Sequence, residues 1–224
     1  MLAAMDADRI AALLEPFVGG ETISSSLAAQ LQTYLDLLLR WNARINLTAV
    51  RDPEQIVTRH FGESIFAARV LRDAGAFASP AGMEPTLVDV GSGPGFPGIP
   101  IKLFAPELQL TLIESQNKKS TFLREVIRTL GIQNAEVYSG RAESWNRRTT
   151  IVTLRAVEKF ASALPVAASL VTDSGTLCLL IGERQAKSAA AKLGAKWRFN
   201  PVARLPDSDR RVVLMGRTIA MSDS

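Results

Sequence analysis

The sequence predicts an α/β fold, in which a mostly parallel, doubly wound sheet follows an N-terminal helical extension and ends in an antiparallel hairpin. Two patterns predict it. From Thr86 onward, apolar runs of strand length alternate with helical patterns, which is typical of a parallel sheet with helices on both faces. The last two strand-like runs, at 197–202 and 211–215, lack an intervening helix and therefore indicate a hairpin at the sheet edge.

Three helices are expected before the sheet. Apolar residues recur at helical spacing in 10–17, which stops at Gly19-Gly20, and in a helix of about five turns after candidate N-caps at 24–26. A third helix begins at Pro53 and continues to Leu71. An Ala-, Gly- and Pro-rich stretch follows. We therefore expect an extension at 1–74 that packs on the core, a linker at 75–85 and a core at 86–224.

The core contains five strand-like runs before the hairpin, at 86–90, 108–113, 135–138, 151–154 and 176–181. Helical patterns occupy 97–104, 118–130, 160–171 and 184–193. Gly131 and Gly194 follow two of these helices, as glycine often does at a helix C-terminus. This order predicts the doubly wound sheet.

The composition excludes several classes of protein. The chain has 224 residues, of which 47% are hydrophobic and 21% charged, and this suits a packed domain rather than a disordered chain. Cys178 is the single cysteine and His60 the single histidine, which excludes an intramolecular disulfide and the usual His/Cys metal cages. No apolar stretch approaches the roughly 20 residues that span a bilayer. We expect a soluble, cytoplasmic monomer with no metal and no membrane contact, and its net charge of +4 modestly favours anionic partners.

A glycine-rich loop after the first strand carries the chemistry. Gly91 and Gly93 open it, and it leads into a helix N-terminus, where backbone N–H groups suit a pyrophosphate or the carboxylate of a methionine moiety. The spacing Gly93-x-Gly95-x-x-Gly98 matches a dinucleotide-binding fingerprint, which alone is a weak signal.

Two features favour S-adenosylmethionine over a dinucleotide. Asp89 stands two residues before the first glycine, where an acid can fix the loop and meet the ammonium of the cofactor. Three prolines in and after the loop remove N–H donors that a pyrophosphate would need. Glu114, at the end of the second strand, can accept from the ribose of either cofactor. Residues 139–143 either border the adenine or form a plain polar turn.

Short motifs precede this loop in a fixed order: Trp41-Asn42, 46–50, 51–53 and Arg59-His60. Together with residues 89–98 they resemble the bacterial small-subunit rRNA guanine-N7 methyltransferases, the RsmG or glucose-inhibited division protein B (GidB) family. The run from Pro94 to Pro100 is particularly specific to that family. The resemblance covers the chain from about Leu31 to Arg155.

The resemblance implies a Rossmann-like class I methyltransferase core. It implies a cytosolic enzyme that transfers a methyl group from S-adenosylmethionine to N7 of one guanosine, position 527, in 16S rRNA or in the small ribosomal subunit. Carried over by motif, the predicted cofactor contacts are Gly91, Gly93, Phe96, Glu114, Ala142, Glu143 and Arg155.

Two departures from the family concern the RNA side. Ile181 precedes Gly182 where the family commonly has lysine, so the role of that lysine is lost or passes to Arg184 or Lys187. Residues 156–159 stand where the family usually has small and aromatic residues, which leaves the shape of the guanine pocket open.

No catalytic acid or base is expected, because guanine N7 has an in-plane lone pair and no proton. Rate should come from placing N7 in line with the methyl group. Arg155 is the positional candidate. It grips a carboxylate, a phosphate or guanine O6, or it forms an ion pair with Asp89 or Glu114 instead.

Basic residues could follow an RNA backbone. The candidate RNA contacts are Arg59, His60, Arg184, Arg210 and Arg211. Further cations that could do so are Lys118-Lys119, Arg147-Arg148, Lys187, Arg204 and Arg217. A lone histidine at a helix surface is more often structural. Candidates to stack on the guanine, each of which also fits a core position, are Phe96, Trp145 and Phe160.

Three other functions remain open on the residues alone. A small-molecule methyltransferase with the same cofactor loop would act without RNA. A non-catalytic RNA-binding relative would have no turnover, although the intact Asp89, Gly91, Gly93 and Glu114 argue against that class. An NAD-dependent oxidoreductase is the weakest alternative, because no Tyr-x-x-x-Lys or His-acid arrangement is visible.

Overall fold

A computed structural model describes residues 5–78, 84–155 and 160–219. The α-helices are α1 Ala7–Val18, α2 Ser25–Asn42, α3 Pro53–Ile56, α4 Glu63–Asp73, α5 Gly98–Phe104, α6 Asn117–Leu130, α7 Phe160–Ser169 and α8 Glu183–Leu193. The strands are β1 Thr86–Val90, β2 Gln109–Glu114, β3 Ala135–Ser139, β4 Thr149–Arg155, β5 Val171–Gly182, β6 Trp197–Phe199, β7 Ala203–Arg204 and β8 Arg211–Thr218. A π-helical segment, Val57–Gly62, joins α3 to α4, and a 3₁₀ turn occupies Ala142–Ser144.

The strands form one sheet in the order β3-β2-β1-β4-β5-β8-β6, with β7 also paired to β8. Strands β1 to β5 are parallel, and β8 is antiparallel to β5 and to β6. The predicted α/β class, with a mostly parallel sheet and a terminal hairpin, is therefore confirmed. The last strand lies inside the sheet beside β5, and β6 forms the edge.

The boundary between α7 and β5 differs from the sequence prediction. The helix expected to reach Val171 ends at Ser169, and β5 begins at Val171 rather than at Thr176. The pairing of β5 with β4 shifts register between these points, and Ser174 there has a positive φ of 63°. Residues 172–175 are polar or glycine, a pattern that predicts a turn. In the structure they instead form a bulge within β5.

Side chains of successive strand residues point to opposite faces of the sheet, and each face carries one hydrophobic cluster. Leu87 packs with helices α1 to α6, whereas Val88 packs with α7 and α8. The four N-terminal helices thus share the core of one sheet face, which is the covering role that their apolar stripes predict. The domain boundaries at 74 and 86 stay a prediction.

Local signals start and stop the N-terminal helices. Asp6 accepts the N–H of Arg9 at 2.8 Å, and Ser24 accepts that of Leu27 at 3.2 Å. Gly19 ends α1 with φ 64°. The helix predicted from Pro53 to Leu71 is present, but the π-helical segment interrupts it. Such segments often occur at functional sites, and this one carries His60.

The strand register brings the carboxyl ends of the parallel strands to one edge. Val90 pairs with Ile113 of β2 and with Leu154 of β4, and Gly182 of β5 pairs with Arg211 of β8. In open α/β sheets ligands bind outside this edge. Within the described ranges, no helix combines the length and the apolar character that crossing a bilayer requires.

Candidate active site

The glycine loop turns sharply between β1 and α5. Gly91, Gly93 and Gly95 have φ values of 67°, 56° and 102°, a region that side chains rarely adopt. A Cβ on Gly98 would lie 2.7 Å from a methyl of Leu112 and 2.9 Å from Asp89. Glycine at these positions therefore allows both the turn and the close packing of α5 on the sheet.

Asp89 fixes this loop from below. Its side chain is fully buried, one carboxylate oxygen accepts the hydroxyl of Thr153 at 2.8 Å, and the other accepts the N–H of Gly98 at 3.2 Å. Burial raises the pKa of Asp89 to about 6, against the opposing effect of these hydrogen bonds. The geometry supports the predicted loop-fixing role, whereas its contact with the cofactor ammonium stays a prediction.

Glu114 braces the loop from the neighbouring strand. One carboxylate oxygen accepts the N–H of Gly93 at 2.9 Å and the other accepts that of Gln116 at 2.7 Å. The residue is only 5% exposed. Two predicted cofactor residues, Gly93 and Glu114, are thereby joined directly, and the loop after β1 is tied to the end of β2.

A cleft of about 280 Å³ opens beside the loop at the carboxyl ends of β1, β2 and β3. Its lining consists of Val90, Gly91, Ile113, Ser115, Gly140, Arg141, Ala142, Glu143, Ser162, Ala163 and Val166. Three predicted cofactor residues, Gly91, Ala142 and Glu143, thus meet in one cleft. A lining that mixes apolar side chains with polar and charged groups suits an adenosine. A Cβ on Gly93 would enter nearly open space, 3.9 Å from the carbonyl of Gly91, so the loop leaves room for a ligand.

The ring of Phe96 lies outside this lining. It is 5% exposed and stacks on His60 with 4.7 Å between ring centroids and on Tyr34 at 5.5 Å. Trp145 packs edge-on against Tyr138 at 5.0 Å, and Phe160 packs against the cluster of α7 and α8. The buried ring of Phe96 offers no free face to a guanine, so this geometry gives no support to its stacking role.

Arg155, at the end of β4, forms an ion pair with a residue that the sequence analysis did not single out. Its Nη2 lies 3.1 Å from the carboxylate of Glu63, whereas the predicted alternative partners were Asp89 and Glu114. Nη2 also lies 3.1 Å from Nδ1 of His60. Among the described residues Nη1 has no hydrogen-bond partner, although it is buried. The next residues along the chain, 156–159, lie outside the described residues, and so does their predicted effect on the guanine pocket.

Glu63 joins the site from α4 and was not singled out by the sequence analysis. Its side chain is 4% exposed and also pairs with Arg211, at the start of β8. Burial raises the pKa of its carboxyl, while Arg155 and Arg211 oppose that rise. The available signal was its position among Phe61, Ile65 and other apolar residues of a helix, where an acid is unexpected unless it is paired.

His60 is enclosed rather than free. Its Nε2 lies 2.8 Å from the hydroxyl of Thr48, and its Nδ1 faces Arg155. Burial, then the charges of Arg155 and Arg59, lower the pKa of His60 to about 3. A neutral ring with both nitrogens occupied is a structural element of the site, so this geometry does not support its predicted RNA contact.

The cations divide between the two edges of the sheet. Arg59, Arg184 and Arg210 are exposed near the carboxyl ends, and in the described part of the chain none has a carboxylate partner. Arg147 and Arg148 precede β4 at the opposite edge and pair with Glu136 at 3.7 Å and Asp173 at 3.0 Å. Two further exposed cations have partners: Arg204 pairs with Glu183 at 3.0 Å, and Arg217 donates to the carbonyl of Ala74. Of the candidate arginines, Arg59, Arg184 and Arg210 therefore remain at the active edge without a carboxylate partner among the described residues.

No cluster of three or more His, Cys, Asp or Glu side chains that could hold a metal ion occurs in the residues that the structure describes. The described contacts are instead those of a cleft at the sheet edge where Arg155, which is largely buried, and the partly exposed Arg211 pair with Glu63. This arrangement can hold a nucleoside-like cofactor and orient an acceptor, and it presents no acid–base pair.

The sequence matches the GidB family model, described as rRNA small subunit methyltransferase G, over residues 27–203. It is 37% identical over 212 residues to the ribosomal RNA small subunit methyltransferase G of Xanthomonas oryzae pv. oryzae (strain MAFF 311018), covering 92% of this chain and 94% of that protein. The protein of the same name from Stenotrophomonas maltophilia (strain K279a) is 37% identical over 198 residues, covering 88% of each chain.

Solved structures of low sequence identity share the fold. A SAM dependent methyltransferase from Aquifex aeolicus has a TM-score of 0.56 at 16% identity, covering 75% of this chain and 94% of that chain. The ribosomal protein L11 methylase from Lactobacillus delbrueckii subsp. bulgaricus has a TM-score of 0.55 at 14% identity, covering 70% of this chain and 79% of that chain. At these identities the likeness concerns the fold alone.

Proposed function

The chain belongs to the GidB family, rRNA small subunit methyltransferase G, and is thus an S-adenosylmethionine-dependent methyltransferase; from this premise we propose that it methylates N7 of a guanosine in 16S rRNA, at position 527. The observation that carries the proposal is the cleft beside the glycine loop, where Gly91, Ala142 and Glu143 meet at the carboxyl edge of the sheet. Arg155 and the exposed cations Arg59, Arg184 and Arg210 lie at the same edge of the sheet.

The residues around the cleft fit the cofactor. Gly91, Ala142 and Glu143 would contact it, while Glu114 and Asp89 hold the loop in the shape that admits it. S-adenosylmethionine supplies a sulfonium methyl group as the electrophile. Glu114 could also accept hydrogen bonds from the ribose hydroxyls, because its carboxylate has lone pairs left after it accepts two backbone N–H groups.

The work of this chain toward the acceptor is positioning. Guanine N7 carries no proton, so no side chain has to remove one. Arg155 has one guanidinium nitrogen without a partner among the described residues, and this donor suits guanine O6, a phosphate or the cofactor carboxylate. Placement of the reacting atoms is then the main source of rate.

Arg59, Arg184 and Arg210 would bind phosphates of the RNA, which gives affinity but no choice of base. Arg211 pairs with Glu63, and His60 contacts Thr48 and Arg155. These two residues were predicted to contact RNA, but their side chains are instead occupied inside the protein. The proposal places the enzyme in the bacterial cytoplasm, with ribosomal RNA, as a monomer. Sedimentation of the purified protein would test the last point.

Methyl transfer tests the proposed function. Labelled S-adenosylmethionine is supplied with 16S rRNA or small subunits from cells that lack the modification, and with modified RNA as the control. We expect label only in the unmodified RNA, at one guanine that becomes cleavable by N7-directed chemistry. Arg155→Met should abolish most of this transfer, and Arg147→Met, at the opposite edge, should not.

Binding of the cofactor without transfer to any RNA would refute the proposed substrate. It would favour a small-molecule methyltransferase. Transfer to naked 16S rRNA but not to assembled subunits, or the reverse, would identify the form of the substrate. Equal transfer to modified and unmodified RNA would refute the single-guanine assignment.

A further inference from the structure

A carboxylate from the N-terminal helices is buried at the active edge of the sheet. Glu63 begins α4, and its side chain is 4% exposed. It contacts two guanidinium groups that come from distant parts of the core, Arg155 at the end of β4 and Arg211 at the start of β8. No other described carboxylate pairs with either arginine.

The same helices hold Arg155 at two further points. Its Nη2 donates to the backbone carbonyl of Arg59 and faces Nδ1 of His60 at 3.1 Å. An arginine can only donate, so Nδ1 of His60 accepts, and the ring proton must lie on Nε2, where it donates to Thr48 at 2.8 Å. These contacts and the ion pair with Glu63 converge on Nη2, whose two hydrogens are shared among three acceptors, while the buried Nη1 has no partner among the described residues.

We propose that Glu63 is a positioning residue for methyl transfer, through which the N-terminal helices hold Arg155 by Nη2 and leave Nη1 for the cofactor or the acceptor. This inference rests on the proposed function, in which Arg155 acts on the cofactor or the acceptor. It assigns to the N-terminal extension a part in the reaction beyond covering the sheet.

The negative charge of Glu63 is needed because it balances two positive guanidinium groups, those of Arg155 and Arg211. A glutamine in its place could accept from one arginine, but its amide nitrogen would then face the other donor. The guanidinium groups of Arg155, which is largely buried, and Arg211, which is 32% exposed, would also lose their common counter-charge. Arg155 would no longer be held at one position. An aspartate is one methylene shorter and would weaken at least one of the two ion pairs.

A double-mutant cycle tests whether Glu63 acts through Arg155. The variants are Glu63→Gln, Arg155→Met and the double variant, and each is first checked by urea denaturation. Rates of transfer to unmodified small subunits give kcat and KM separately. Glu54→Gln is the matched control, because Glu54 lies in the preceding helix and pairs with Arg9 at the surface. If Glu63→Gln does not fold, Glu63→Asp takes its place in the cycle.

We expect Glu63→Gln to lower kcat/KM about tenfold or more, mainly through kcat, in the wild-type background. In the Arg155→Met background we expect little further loss. Equal losses in both backgrounds would overturn the proposal, because Glu63 would then act independently of Arg155. An unchanged rate in Glu63→Gln or in Arg155→Met would overturn it as well. Glu54→Gln should match the wild type.

A second readout does not depend on turnover. His60 is the single histidine, so its ring nitrogens give one unambiguous set of NMR signals. We expect the Nδ1 signal to shift in Glu63→Gln, because Arg155 moves away from the ring. An unchanged signal would overturn the inference even if the wild-type enzyme failed to methylate RNA. Absence of transfer by the wild type, with the expected shift present, would refute the proposed function alone.

Discussion

The hydroxyl of Tyr34, in α2, donates a hydrogen bond to the backbone carbonyl of Pro94 in the glycine loop. The ring is fully buried, and a Cβ on Gly95 would lie 2.5 Å from its hydroxyl oxygen. The N-terminal helices therefore contact the glycine loop directly. Together with the pairing of Glu63 and Arg155, this contact makes the extension part of the site.

Replacement of Tyr34 by phenylalanine should loosen the glycine loop. The ring stacking remains, but the carbonyl of Pro94 loses a buried donor, which costs about 1–3 kcal/mol of the free energy of unfolding. We expect a weaker affinity for S-adenosylmethionine as well. Urea denaturation and calorimetric titration measure both. Tyr138→Phe is the control for stability, because its hydroxyl makes a longer, exposed bond of 3.3 Å. Equal losses of stability in the two variants would contradict this account.

Filling the cleft should block the cofactor without unfolding the chain. Ala163 lies on α7 and lines the cleft, whereas Ala161 lies on the same helix and is exposed outside it. We expect Ala163→Leu to raise the Kd for S-adenosylmethionine at least about tenfold, a change of ~1.4 kcal/mol, and Ala161→Leu to leave it unchanged. Unaltered binding by Ala163→Leu would show that the cofactor lies elsewhere.

His60 should stay neutral throughout the physiological range. Burial and the charges of Arg155 and Arg59 lower its pKa to about 3, from a usual value near 6.5. The unfolded chain therefore takes up a proton as the pH falls below about 6.5, which the folded chain does not until near pH 3. The contribution to stability is complete above that window and is lost as the pH falls through it.

NMR titration of this single histidine measures the effect. We expect no change of its ring signals between pH 5 and pH 8, and we expect the Nε2–H tautomer. His60→Gln should flatten the loss of stability on acidification, as followed by urea denaturation at several pH values. A midpoint near the usual histidine value in the folded protein would contradict the buried geometry.

The exposed arginines of the active edge should control the salt dependence of RNA binding. Each phosphate contact that is lost should reduce the slope of log K against log salt by about one. We expect the pair Arg184→Ala and Arg210→Ala to lower both affinity and slope. The control pair is Arg147→Ala and Arg198→Ala, which removes the same charge at the opposite edge. Equal effects of the two pairs would mean that net charge, and not this edge, binds RNA.

The sequence predicts the order of helices and strands well where signals are local. Ser24 and Gly19 delimit helices as expected, and the glycine loop follows β1 directly. The bulge at residues 172–175 was missed, because polar residues and a glycine follow the pattern of a turn. Whether such a segment stays in a strand depends on its neighbour in the sheet, which the local pattern does not contain.

By itself, the sequence determined the class of fold, the glycine loop with Asp89 and Glu114, and the family, because these depend on residues close together in the chain. Only the tertiary structure decided the partner of Arg155. Glu63 lies 92 residues before Arg155 and 148 residues before Arg211, so no spacing rule connects them. The path of the chain brings their charges together, and burial at the sheet edge makes that pairing necessary.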